Sequence, residues 1–312
     1  MKQKIKWGKN IKQSIKGASS AIALLTIWTV IEPRIINTEY ETATIPNLPA
    51  KWEGEKIGQI SDFQIGLWGS NPGTAKRSIQ VLIKNKPAAV LISGDFIYHS
   101  APNPDPEINT AIKIIQPLIQ AGIPTYAVLG NHDYGMSKKT DSPTIELSNN
   151  LKAELEAIGV QVLKNESTII QASTTQLSAI QSSKDKEDLY LVAIGSQWAN
   201  QADVQAALSE LDDESPRIAL MHNPDSFEAF PANTAPLAVA GHTHGGQIRI
   251  PGLPQWSWLR LTQKDEVYAD GWAKGYGQTG NRLYINPGIG MSIIPVRLFC
   301  PPEVTFFTLQ GT

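Results

Sequence analysis

The sequence has almost no cysteine: Cys300 is the one thiol in 312 residues. An intramolecular disulfide framework and a cysteine-rich zinc module are therefore excluded, and the lone thiol reads as a small core residue. A basic excess is missing too. The formal charge is −2, but the first 31 residues hold six lysines (Lys2, Lys4, Lys6, Lys9, Lys12 and Lys16) and no acid, so the rest carries an excess of eight acids. So acidic a body lacks the electrostatic footprint of a nucleic-acid binder, and no nucleic-acid partner is expected. Anionic substrates have to be drawn by bound metal. No internal repeat of fixed period is visible, and nothing is compositionally extreme.

What is present is the composition of a globular protein, with 41% hydrophobic and 18% charged residues. The length suits one large α/β domain or two small ones. Fifteen uncharged residues, Gly17–Ile31, follow the lysines and precede Glu32-Pro33-Arg34, which is the layout of an export signal. As a helix this run spans ~22 Å against a hydrocarbon core of about 30 Å, so lysine stems and flanking residues must extend it. Glu32–Thr44 shows no small-x-small cleavage pattern, which favours an uncleaved signal-anchor. The lysines then stay cytoplasmic and the body lies on the extracytoplasmic side of the membrane. The alternative is an amphipathic or hydrophobic helix packed on the domain or lying on the membrane surface. Residues 33–50, with Pro33, Pro46 and Pro49, read as a linker. The expected division is residues 1–44, signal-anchor and linker, and residues 45–312, one domain.

From Lys56 onward, short apolar runs alternate with helical patterns, the layout of an α/β sheet with functional loops at strand ends. KIGQIS (56–61) ends at Asp62, AAVLIS (88–93) at Gly94-Asp95, TYAVL (125–129) at Gly130-Asn131-His132-Asp133, and RIALM (217–221) at His222. LYLVAIG (189–195) is a further strand, and Ala235–Ala240 runs into Gly241-His242-Thr243-His244. Helical spacing marks 74–86, 108–119 and 204–211, and Ser142-Pro143 opens another helix. Val160 to about Ser183, rich in Thr, Ser and Gln, reads as β-hairpins.

His242 and His244 leave an extended segment on the same face, each able to meet its own ion. An HxH pair, a Gly-Asp or an Asn-His-Asp is common alone; five such contributors after strand-like runs point to a metal site. Carboxylates, imidazoles and an amide oxygen suit Mn, Fe, Zn or Co. The candidate ligands outnumber one site, so two divalent ions are expected.

In order along the chain, Asp62-x-Gln64, Gly94-Asp95, Gly130-Asn131-His132-Asp133, His222 and Gly241-His242-x-His244 resemble the motifs of the calcineurin-like metallophosphoesterase family. The resemblance covers about 56–309, and the ending INPGIGMSIIPVRLFCPPEVTFFTL is similar to the membrane-associated bacterial branch. It implies a four-layer αββα sandwich behind an N-terminal membrane-anchor helix. It also implies one metal on Asp62, Gln64, Asp95 and His244, and a second on Asp95, Asn131, His222 and His242. The nucleophile is then a hydroxide shared by the two ions, and His132 protonates the leaving group or stabilises transition-state charge. Asp133 orients His132 or a ligating imidazole.

The family's usual first motif is Asp-x-His, and Gln64 departs from it. An amide oxygen is a poorer zinc ligand than imidazole, so manganese is the expected metal, ahead of Fe, Zn or Co. The implied substrate is a phosphodiester, phosphomonoester or pyrophosphate, small or lipid-linked, with a nucleotide-diphospho compound in the same class. A non-catalytic scaffold of the same fold is the alternative. Trp68, Trp198, Trp256, Trp258 and Trp272 fall near the motif loops, where rings hold a lipid or sugar, touch the membrane or simply pack. Pro251–Gly280 is a candidate lid. His99 matches no motif position and reads as a loop histidine. Arg249, Arg282 and Arg297 are available to phosphate without being assigned to it. The oligomeric state is not legible.

Overall fold

The computed structural model describes residues 2–98, 102–172, 188–250, 253–262 and 270–312. His99, and the parts of the candidate lid and of the 160–183 stretch beyond these ranges, lie outside the described residues. In chain order the strands of the first half are β1 (Asn37–Ile45), β2 (Lys56–Ile60), β3 (Ala89–Ile92), β4 (Thr125–Ala127), β5 (Gln161–Val162) and β6 (Glu166–Ile169). The rest are β7 (Tyr190–Ala193), β8 (Arg217–Leu220), β9 (Ala238–Ala240), β10 (Arg249–Ile250), β11 (Leu253–Ser257), β12 (Gly271–Trp272), β13 (Leu283–Ile285) and β14 (Glu303–Gly311). Among the described residues they form two six-stranded sheets, ordered β1-β14-β2-β3-β4-β5 and β12-β13-β9-β8-β7-β6, with β10-β11 a separate hairpin.

Successive side chains of a strand face opposite ways, and that alternation builds the layers. Leu91, Tyr126 and Val128 from the first sheet meet Leu191, Ala193, Ile218, Leu220 and Val239 from the second in one shared core. Val90, Ile92 and Ala127 point outward. There the stripes of α2 (Pro72–Asn85), α3 (Asp105–Gln120) and α4 (Ile145–Ala157) cover them. Val192, Ala219, Met221, Ala238 and Ala240 face the other way, under α5 (Val204–Leu208) and the 3-10 turn Pro224–Ala229. The order is thus αββα, with a thin fourth layer. Inside each sheet β2, β3 and β4, and likewise β7, β8 and β9, run parallel. Gln59 ties the sheets together near these ends, donating to the Ala240 carbonyl at 2.9 Å and the Ser93 hydroxyl at 3.0 Å.

Three readings of the sequence are corrected. The expected linker over 33–50 contains β1, which pairs with β14 through nine residues from Asn37 opposite Glu303 to Ile45 opposite Gly311. The described part of the 160–183 stretch is hairpin only in part, because β5 joins β4 in parallel in the first sheet while β6 pairs antiparallel with the next strand, β7, in the second. The helix expected from Ser142-Pro143 begins at Ile145, behind Thr144.

The N-terminal helix α1 runs Lys2–Ile31. Gln13–Arg34, 22 residues of mean hydropathy 1.5, is long and apolar enough to cross a membrane; its apolar stretch is not buried against the domain, and only Glu32 and Pro33 at its end are. At about 1.5 Å per residue it spans ~33 Å, close to the hydrocarbon thickness of about 30 Å.

Candidate metal centre

The seven expected ligands sit on loops at the carboxyl ends of the parallel strands. Five of them hold a left-handed backbone: Asp62 at φ +52°, Gln64 at +50°, Asp95 at +56°, His242 at +73° and His244 at +46°. Residues with side chains adopt that region uncommonly, and such outliers cluster at functional sites. The neighbouring loops make room for them. A Cβ on Gly130 would run into the Asp95 carboxylate and the His222 ring, and one on Gly241 into Ser61 and Asp62. Only glycine fits either position.

Asp62, Asp95 and His244 each offer an atom within 4.8 Å of the others. His244 Nε2 stands 3.6 Å from Asp62 Oδ1, and Gln64 Nε2 lies 2.7 Å from Asp95 Oδ2 and 3.3 Å from His244 Nε2. A second group also meets Asp95. His222 Nε2 is 3.4 Å from Asp95 Oδ2 and 3.1 Å from Asn131 Oδ1, and His242 Nδ1 is 3.2 Å from His222 Nε2. All seven residues come together, with Asp95 common to both groups; six are buried and His242 is half-buried.

These donor atoms fit a divalent cation. Gln64 Oε1 and His244 Nδ1 are buried with no hydrogen-bond partner, a cost of about 1–3 kcal/mol for an unpaired buried polar atom. Turning the Gln64 amide over would aim Oε1 at Asp95 and His244, an acceptor cluster that a cation satisfies. Asn131 is already fixed with its oxygen inward, because Nδ2 donates to the Met136 carbonyl at 2.8 Å. His222 is oriented in the same manner, with Nδ1 2.7 Å from the Ser93 carbonyl and Nε2 toward the ligands. A second hydrogen bond of that kind sets the tautomer of a metal-binding histidine.

Charge is arranged around Asp95. Burial opposes charge on His222, yet Asp95 and Asp62 raise its pKa to about 9. Burial likewise opposes the Asp95 anion, and His222 and His132 overcome it, holding the carboxyl well below its usual range. Burial and the Asp95 charge push Asp62 up to about 6, against the pull of His222. Burial, helped by His222, keeps His242 neutral; burial with Arg297 does so for His244. His242 and His244 are thus in the neutral state that metal binding requires, while His222 gives up its proton when an ion takes its place beside Asp95.

His132 stands beside this group. Its backbone N–H donates to Asp95 Oδ1 at 2.9 Å, and its Nδ1 lies 3.1 Å from the Tyr98 carbonyl. The Tyr98 ring stacks on it, with centroids 4.6 Å apart. Asp133 does not make the imidazole contact expected of it. Its carboxylate accepts four backbone N–H groups: from Asp95 and Gly130 at 2.8 Å, Phe96 at 2.8 Å and Ile97 at 3.2 Å. It pins the Asp95 loop to the Gly130 loop.

The aromatic and basic residues also sort out. Trp198 is buried with its ring edge-on to His242 at 4.6 Å. Trp272 packs among Tyr284 and Phe307 and donates to Glu41. Arg297 is fully buried and donates to the carbonyls of Pro287, Gly288, Gly290 and Cys300. Arg249 pairs with Asp270 at 2.7 Å, and Arg282 lies over Trp272 at 4.0 Å. These arginines are engaged by the protein itself. Tyr98 is the site neighbour that sequence reasoning missed, since nothing in the motifs marks a ring three residues past a ligand.

The family model for calcineurin-like phosphoesterases matches residues 55–246. The chain is 32% identical over 237 residues to the phosphodiesterase YaeI of Escherichia coli, covering 74% of each. It is 28% identical over 287 residues to the uncharacterized metallophosphoesterase YkuE of Bacillus subtilis, covering 90% of this chain and 88% of that one. It is 24% identical over 322 residues to the UDP-2,3-diacylglucosamine pyrophosphatase LpxG of Chlamydia trachomatis, covering 94% and 95%. The chain belongs to the calcineurin-like phosphoesterase family. It is a metal-dependent phosphoesterase, a hydrolase whose metal group lies at the ends of β2, β3 and β9.

Proposed function

We propose that the chain hydrolyses a phosphodiester or pyrophosphate bond with two divalent ions, manganese before iron, zinc or cobalt. Asp62, Gln64, Asp95 and His244 hold the first; Asp95, Asn131, His222 and His242 hold the second. The observation that carries the reading is Asp95, whose carboxylate meets both ligand groups. When bound, such a pair of ions activates water and offsets charge on the phosphoryl oxygens.

The protein's own residues do the rest. The Tyr98 carbonyl holds the proton of His132 at Nδ1, so Nε2 is the atom that exchanges a proton with the leaving oxygen. Asp133 keeps the Asp95 and Gly130 loops in register, which holds His132 and Asn131 beside the bridging carboxylate. The oxygen-rich first site, with an amide at position 64 in place of imidazole, supports manganese. The substrate is lipid-linked or nucleotide-diphospho, a reading supported by the pyrophosphatase and phosphodiesterase relatives. The lysines in the first half of α1, ahead of its apolar run, favour a cytoplasmic N-terminus, which places the catalytic body outside.

The test is to strip metal from the full chain in detergent and restore Mn, Zn, Fe or Mg singly. Chromogenic phosphomonoesters and diesters are then compared with nucleotide-diphospho compounds. Turnover is expected to be highest with Mn and on diesters or pyrophosphates. No turnover with any metal would sink the reading.

A further inference from the structure

The mounting of α1 decides which end of the molecule meets a bilayer. β14 runs antiparallel to β2, with Thr305 opposite Gln59, so β14 starts where β2 ends. β1 runs parallel to β14, with Asn37 opposite Glu303. The chain therefore passes from α1 into the sheet at the end that carries Asp62 and Asp95. No free tether intervenes: Ile31 is exposed, Glu32 and Pro33 are buried, and β1 begins at Asn37. The Glu32 carboxylate accepts the N–H groups of Phe299 and Cys300. Thr74, in the first turn of α2, donates to the Pro33 carbonyl at 3.0 Å, and the Arg297 N–H donates to the Thr29 carbonyl at 3.1 Å.

Large apolar side chains surround this exit. Trp68 is 67% exposed and Ile293 44%, and Phe299, Ile250 and Trp256 are exposed beside them along the chain contacts that follow. Trp68 Nε1 donates to the Ile293 carbonyl at 3.2 Å. The Arg249 N–H donates to the Leu298 carbonyl at 2.9 Å, which brings the β10-β11 hairpin with Ile250 and Trp256 against the Phe299 segment. Ile293 at φ +64° and Phe299 at φ +55° hold the left-handed backbone, which a β-branched residue adopts only under constraint. The constraint is Gln247, which donates to the carbonyls of Ser292 and Ile294 and accepts from the Ser292 N–H. The same loop adjoins the metal site, since the Gly290 N–H donates to the Asp62 carbonyl at 2.6 Å. Water gives no reason to hold Trp68, Ile293 and Phe299 outward. A membrane interface level with the end of an anchor helix does.

We propose that this face is a bilayer-docking surface: the domain lies with its catalytic end against the membrane, and its site takes phosphate-bearing headgroups from the lipid surface. The docking rests on the helix mount and the apolar face; the headgroup substrate rests on the phosphoesterase reading above.

The full chain is reconstituted into phosphatidylcholine–phosphatidylglycerol vesicles containing brominated lipid, with an environment-sensitive dye on Trp68→Cys, Ile293→Cys or Lys84→Cys. Lys84 is exposed in the last turn of α2, at the far end of the sheet. Quenching at positions 68 and 293 is expected to exceed that at 84 by about threefold or more, as for residues at an interface. Equal quenching at all three positions overturns the docking. The double variant Trp68→Asp/Ile293→Asp is expected to keep wild-type turnover of a soluble chromogenic diester and to lose about tenfold on a phosphodiester lipid in vesicles. Equal losses on both overturn the headgroup claim. A wild-type chain inert toward both substrates sinks the catalytic reading and the headgroup claim, while the quenching still decides the docking.

Discussion

Gln64 donates its amide N–H to the Asp95 carboxylate at 2.7 Å and leaves its own oxygen buried without a partner. Position 64 therefore touches the one side chain that both ligand groups share. A substitution there reports on metal choice without removing Asp95.

Gln64→His is expected to shift the first site toward zinc, because imidazole is the better zinc ligand. Gln64→Ala is expected to weaken metal binding by more than the roughly 10–100-fold seen for residues outside the ligand sphere. Competition of Mn against Zn for the metal-stripped protein, followed by calorimetry, checks both. An unchanged metal preference in Gln64→His would remove position 64 from the site.

Asp133→Asn is expected to act on stability before chemistry. Each carboxylate oxygen accepts two backbone N–H groups, and an amide NH₂ turned toward two of them leaves those donors unpaired. The expected loss is about 3 kcal/mol, read as a lower urea midpoint. A midpoint equal to wild type with lowered turnover would return Asp133 to a role in the reaction itself.

Glu303 supplies a pH dependence away from the metal. It is buried in β14, and burial raises its pKa to about 7 from 4.5, although Tyr284 and Thr305 donate to it. A raised carboxyl pKa means that the folded state holds the proton more tightly. Stability therefore falls as pH rises from about 4.5 to about 7 and stays at the lower level above that. Glu303→Gln keeps an oxygen for Tyr284 and Thr305 without the charge. It is expected to flatten this slope and to gain about 2–3 kcal/mol at pH 8. Denaturation midpoints at pH 5 and pH 8 check it, and parallel curves for the two proteins would refute it.

The strands and the candidate ligands at their ends stood out in the sequence for one reason. A parallel strand buried on both faces is a short apolar run, and the residue that ends it is polar because it has left the sheet. Asp62, Asp95, Asn131, His222 and the His242–His244 pair were all singled out that way, and their side chains come together in the fold. β1 was hidden because Pro46 and Pro49 flank it and its partner lies some 260 residues away in β14. Pairing over that separation leaves no local signal. The left-handed turns at Asp62, Gln64 and Asp95 were hidden as well, since glycine is the usual mark of that conformation. Arg297 looked available to phosphate, yet it is spent on four carbonyls that fold the 287–300 loop over Asp62.

His132→Ala removes the ring proposed to exchange the proton and leaves the seven candidate ligands in place. Turnover of a chromogenic diester is expected to fall by about 10²–10⁴-fold, with two ions still bound. Wild-type turnover would remove His132 from the reaction.

In the proposed function one carboxylate, that of Asp95, joins two metal sites. Titrating Mn(II) into the metal-stripped full chain, followed by calorimetry and electron paramagnetic resonance, tests it directly. Two ions per chain, a spectrum of magnetically coupled ions, and loss of both ions together in Asp95→Asn are expected. One ion per chain, or two uncoupled ions that survive Asp95→Asn, would contradict it.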